Sequence, residues 1–153
     1  MLIQSGQEAL YVAIEMERGA IQTYERALML ADADTPAAQA LRNQLNLILS
    51  DERQHLKQFQ SMYQGLDISM EEQLMLSAVA SSVLFQGGLM GAVRQGMLKD
   101  EQSVLTFAIS AEQKAIETYR DFANACNDPA TADMLNGIAG EEETHLLALR
   151  KYQ

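Results

Sequence analysis

Residues 17–24 read ERGAIQTY, and residues 112–119 read EQKAIETY. Glu, Ala, Ile, Thr and Tyr recur in register, 95 positions apart. Around Glu17 the apolar residues Leu10, Ala13, Ile14, Ala20, Ile21, Tyr24 and Leu28 fall three and four apart. That spacing is one face of a helix at about 100° per residue. Glu17 therefore stands in the middle of an apolar stripe, where a lone carboxylate is costly. Glu112 sits the same way, after Leu105, Ala108 and Ile109 and before Ala115, Ile116 and Tyr119.

A second repeated pair lies further along each copy. Asp51-Glu52-Arg53-Gln54-His55-Leu56 resembles Glu141-Glu142-Glu143-Thr144-His145-Leu146, 90 positions apart. Glu52 interrupts the stripe of Leu41, Leu45, Ile48, Leu49 and Phe59; Glu142 interrupts that of Leu135, Ile138, Ala139, Leu146 and Leu149. The only two histidines, His55 and His145, each stand three residues after such a glutamate, on the same face one turn on. Glu141 and Glu143 flank Glu142 at about 100° on either side and are expected in solvent; Glu15, Glu71 and Glu72 read as solvated or capping.

Start and stop signals set the helix boundaries. Ser5 with Glu8 makes a capping box that opens a helix to about Ala31. Asp34-Thr35-Pro36 caps a second helix running to Gly65. Ser69 with Glu72 opens a shorter helix towards Phe85, which Gly87-Gly88 and Gly91 are expected to break. A long helix runs from about Asp100 to Cys126, and Asp128-Pro129 opens the last one. No segment alternates with period two for long enough to be a strand. The reading is an all-α protein, one domain over residues 1–153. Hairpin 1 takes about 5–65, a crossover about 66–99, and hairpin 2 about 100–153. Short loops make each hairpin antiparallel, and the crossover docks the second on the first as a four-helix bundle. The duplication predicts a site with pseudo-two-fold symmetry.

Composition bounds the partners. Eleven basic against twenty-one acidic residues give a net charge of −10, which argues against nucleic acid or an anionic membrane. Cys126 is alone, so no internal disulfide and no CxxC metal clip forms. No secretory signal is seen at the N-terminus, and the expected compartment is the cytoplasm. Residues 74–93 carry no charge, the length of a membrane span, but their serines, glycines and Gln86 favour a crossover or an oligomer interface. Met29, Met62, Met75, Met90 and Met97 read as gap-fillers, and Cys126 as a packing residue.

Four carboxylates buried together need compensation. The stripes bring no Lys or Arg beside them, whereas two divalent cations would cancel four glutamates, with two neutral imidazoles as further donors. One Glu from each of two helices plus Glu-x-x-His from each of two others is a di-metal arrangement of helical bundles. Glu17, Glu52, His55, Glu112, Glu142 and His145 are thus the expected metal ligands. Mixed oxygen and imidazole donors suit iron or manganese, with zinc possible.

In this order, with Tyr seven after the first Glu, these residues resemble the ferritin-like superfamily and, within it, the rubrerythrin-related proteins. The resemblance covers both hairpins. It implies two irons, with Glu52 and Glu142 bridging, Glu17 and Glu112 terminal, and His55 and His145 each on one iron. It implies Tyr24 hydrogen-bonded near the site, with Tyr119 its counterpart at seven after Glu112, where rubrerythrins have tyrosine at eight. Rubrerythrins also carry a four-cysteine rubredoxin domain, not found in this chain, so electrons would come from an external donor. They carry a further glutamate where this chain has Ala115. The implied activity is a peroxidase or oxidase reaction with hydrogen peroxide or O₂ in a homodimer or larger assembly. Alternatives are ferrous oxidation with iron storage or delivery, and a metal-stabilised binding module using residues 74–93. Ala20 and Ala115, small and one turn from Glu17 and Glu112, read either as packing residues or as space left for the oxidant.

Overall fold

The computed structural model describes residues 3, 5–31, 34–84, 88–96 and 98–153, with the side chains of 84 and 88–90 outside the description. Six α-helices follow one another: α1 Gly6–Leu30, α2 Pro36–Met62, α3 Met70–Leu84, α4 Gly88–Arg94, α5 Glu101–Ala125 and α6 Pro129–Arg150. No strand occurs among the described residues.

The caps explain the boundaries. Ser5 accepts from the Glu8 amide, Thr35 from that of Ala38 with Pro36 next, and Asp128 from that of Thr131 with Pro129 next. Each satisfies an amide that has no partner within its own helix. Asp100 and Ser103 form a reciprocal capping box at α5, and Ser69 and Glu72 do the same at α3. α2 stops at Met62 rather than at Gly65: Tyr63 is already extended, and Gly65 makes the turn beyond it at φ +100°, which glycine adopts without strain. The crossover holds two helices, not one. α3 ends at Leu84, close to where it was expected to stop, and a further helix follows, with Gly88 as its first residue and Gly91 within it. α4 is anchored by its neighbours, with Ala92 and Leu98 buried against the C-terminal part of α1 and the start of α5. Phe85, Gly87 and Met97 lie outside the described residues.

α1 packs on α2 and α5 on α6, as two hairpins, and α1 also packs on α5 and α2 on α6. Along α1 and α5 the contacts run in opposite order, Glu17 meeting Tyr119 and Tyr24 meeting Glu112, so these helices are antiparallel. Along α2 and α6, Asp51 meets His145 and His55 meets Glu141, which makes them antiparallel too. The fold is the expected helical bundle of two hairpins.

The apolar core is in two pieces. One gathers Leu10, Ala13, Phe59, Tyr119, Phe122, Leu135 and Ile138, and α3 lays Leu76 and Ala80 on it. The other gathers Tyr24, Leu45, Ile48, Leu98, Leu105, Phe107 and Leu149. Between them in sequence, on all four long helices, lie the buried carboxylates.

Two methionines read as gap-fillers are not: Met29 is 78% exposed and Met75 60%. Met62 does pack against the first cluster. Residues 74–84 lie in α3 and 88–93 in α4, and no described helix is long and apolar enough to cross a membrane.

Candidate metal centre

α1, α2, α5 and α6 each bring one glutamate to the bundle axis, and α2 and α6 add one histidine each. None of Glu17, Glu52, His55, Glu112, Glu142 and His145 is more than 4% exposed. They form two groups of four: Glu17, Glu52, His55 and Glu142; and Glu52, Glu112, Glu142 and His145. Within each group one oxygen or nitrogen per residue lies within 4.8 Å of the others, so each group can hold a metal ion. Glu52 and Glu142 belong to both.

The shared carboxylates turn one oxygen to each side. His55 Nδ1 lies 3.1 Å from Glu142 Oε1, 3.4 Å from Glu52 Oε2 and 3.8 Å from Glu17 Oε2. His145 Nδ1 lies 3.0 Å from Glu142 Oε2, 3.2 Å from Glu52 Oε1 and 3.7 Å from Glu112 Oε1. The two imidazoles stack with centroids 5.7 Å apart. The sequence repeat has become a pseudo-two-fold axis through the site.

Four further residues hold this arrangement, each across the hairpin boundary. Tyr24 of hairpin 1 donates to Glu112 Oε1 of hairpin 2, and Tyr119 of hairpin 2 donates to Glu17 Oε1 of hairpin 1 at 2.7 Å. Outside the histidines, His55 Nε2 lies 2.5 Å from Glu141 Oε2, and His145 Nε2 lies 3.0 Å from Asp51 Oδ2. The side chains of Asp51 and Glu141 are 60% and 59% exposed. Nε2 of each ring is thus engaged by an outer acid, and Nδ1 is the nitrogen that faces the glutamates. Glu141, expected to do no more than face solvent, thus also braces a histidine, and Asp51 was not singled out at all. The helical wheel turns both away from the stripe. Their signal was the repeat itself, an acid directly before each central glutamate. Glu143 and Glu15 do stay outside, paired with Arg120 and Arg18.

The electrostatics show a centre short of cations. Burial, then the charges of Glu52 and Glu142, raises the pKa of Glu17 well above the carboxylate range. Burial, then Glu112, raises Glu142. Burial alone would lower His55, but the close carboxylates of Glu142 and Glu52 prevail and raise it to about 10. His145 is raised in the same way, by Glu112, Glu142 and Glu52 acting against burial. Burial, then the neighbouring glutamate, also raises Tyr24 and Tyr119, which therefore remain protonated donors.

Among the described residues, every ion pair at the four glutamates is to a histidine. Even so, Glu17 Oε2 and both oxygens of Glu52 have no hydrogen-bond partner. A buried acceptor left bare costs about 1–3 kcal/mol, more when charged. Three bare oxygens aimed into one knot are what cation binding would satisfy, and the mixed oxygen and imidazole donors fit a first-row transition metal. On the α1/α5 side of the knot lies a cavity of about 20 Å³, lined by Met16, Ala20, Thr23, Ala111 and Ala115 with the carboxylates at its floor. That is room for about one small molecule.

The family model described as ferritin-like domain matches residues 6–153. No curated protein and no solved structure matches the chain.

Proposed function

The chain belongs to the ferritin-like domain family, and from that premise we propose that it is a non-haem di-iron protein, related to rubrerythrins, that reacts with hydrogen peroxide or O₂. The observation that carries this is the pair of four-donor groups sharing Glu52 and Glu142, with bare oxygens on Glu17 and Glu52. Glu17 and His55 complete one half, and Glu112 and His145 the other. Bound iron would supply the electrons, passing between ferrous and ferric forms.

The protein's own groups do the rest. Tyr24 and Tyr119 hold one oxygen of each unshared glutamate, so these carboxylates swing about a fixed point when the charge of the site changes. Asp51 and Glu141 hold the outer nitrogens of the histidines, which keeps Nδ1 turned inward. The cavity beside Ala20 and Ala115 admits a two-atom oxidant and little else, and its apolar walls limit the water around it. We take the reductant to be an external donor. We place the protein in the cytoplasm, in a homodimer or larger assembly.

The test has two parts. Elemental analysis of protein purified without added metal should find iron at two per chain, the stoichiometry of the two donor groups. In stopped-flow absorbance, the ferrous form should oxidise on mixing with hydrogen peroxide, faster than aqueous ferrous ion does. An equal rate rules out the enzymatic reading. One observation favours a second reading, iron oxidation for storage or delivery: at the cavity wall, where rubrerythrins carry a further glutamate, stands Ala115. Native mass separates the two, since a large cage means storage and a dimer means the enzyme.

A further inference from the structure

The lining of the cavity obeys the internal repeat almost throughout. Glu17 and Glu112, Ala20 and Ala115, Tyr24 and Tyr119, and Glu52 and Glu142 line it as mates in the internal repeat. The exception in both size and chemistry is Met16, whose mate is Ala111. Met16 is 2% exposed, so bulk solvent does not reach it, and it borders the cavity in which an oxidant would meet the carboxylates. It is the only cavity-lining side chain with an oxidisable sulfur. Met16 also belongs to the first apolar cluster, whereas at the equivalent place on α5 an alanine serves.

We propose that Met16 is a modification site, oxidised to the sulfoxide by peroxide held in the cavity, and that this oxidation shuts the centre. The proposal rests on the di-iron reading above. In the step itself the thioether sulfur attacks one peroxide oxygen. The O–O bond breaks and an S–O bond forms; the sulfur is oxidised, the peroxide is reduced, and its other oxygen leaves as water with both protons. No further reductant is needed. The product adds a polar oxygen to a space of about 20 Å³. A cavity of that size has room for about one small molecule, so the sulfoxide oxygen takes the oxidant's place. A centre flooded with peroxide and short of reductant is thereby closed by its own substrate.

The order in which methionines oxidise tests this. Protein saturated with ferrous iron without oxygen is given successive small additions of hydrogen peroxide, with no reductant. After each addition residual peroxide consumption is measured, and the methionine peptides are weighed by mass spectrometry. Metal-free protein treated alike is the control. There, reactivity should follow exposure, so Met29, Met70 and Met75, at 78%, 72% and 60%, react before Met16. In the iron-loaded protein Met16 should gain oxygen first, and the loss of consumption should track it. Met16→Leu keeps the volume and should survive several times as many additions, each protein scaled to its own initial rate. Rapid consumption with Met16 unmodified overturns the inference and leaves the di-iron reading standing. Modified Met16 with undiminished consumption overturns the closing step. Consumption no faster than that of free iron sinks the di-iron reading, and this inference with it.

Discussion

Asp51 and Glu141 illustrate what a single side chain does when it acts through another. Each touches a histidine at the outer nitrogen, and neither reaches the knot of glutamates. Such outer partners set the ring's tautomer and orientation, and their loss typically weakens metal binding by about 10–100-fold. Asp51→Asn and Glu141→Gln should each lower affinity by that order, read by titration calorimetry with cobalt(II), while circular dichroism stays unchanged. Undiminished affinity in both variants would show the histidines to be held by packing alone. The residues at the axis were legible in the sequence because a carboxylate on an apolar stripe is conspicuous. The braces were not, because a wheel describes one helix and these bonds join two.

At the scale of the helix, the caps made the chain readable. Ser5, Thr35, Ser69, Asp100 and Asp128 all cap the helices their positions announced. What sequence missed was α4, because glycine is a poor helix former and tertiary contact through Ala92 overrides its propensity. α6 carries two glycines mid-helix, Gly137 and Gly140, just before Glu142. A Cβ at either would meet nothing within 4 Å. Gly137→Ala and Gly140→Ala should therefore each stabilise the metal-free protein by about 0.5–1 kcal/mol, measured by urea unfolding. Gly6 is a tighter case. A Cβ there would lie 3.0 Å from Cys126 Sγ, which must shift to admit it, so Gly6→Ala should gain less than either change in α6 in the same assay. A gain at Gly6 as large as theirs, or a loss at both sites in α6, would contradict this account of the packing.

Over the whole molecule, a polar layer separates two apolar clusters, and its protons link stability to pH. Without metal, Glu17 and Glu142 hold protons above their ordinary value of 4.5, and His55 holds one to about 10 instead of 6.5. The folded form thus binds more protons than the unfolded chain, so stability falls as pH rises. The penalty from the carboxyls grows above 4.5; the contribution of His55 is complete below 6.5 and is lost as pH passes about 10. Thermal melts of metal-free protein should show a falling midpoint from about pH 5 to 9. Metal must displace these protons, so its affinity should rise over the same range, and a metal-free midpoint that climbs with pH would refute the assignment. The reciprocal bonds at the centre make each half self-complementary: one helical pair meeting a second copy of itself would find the same kinds of donors and acceptors at the same four places.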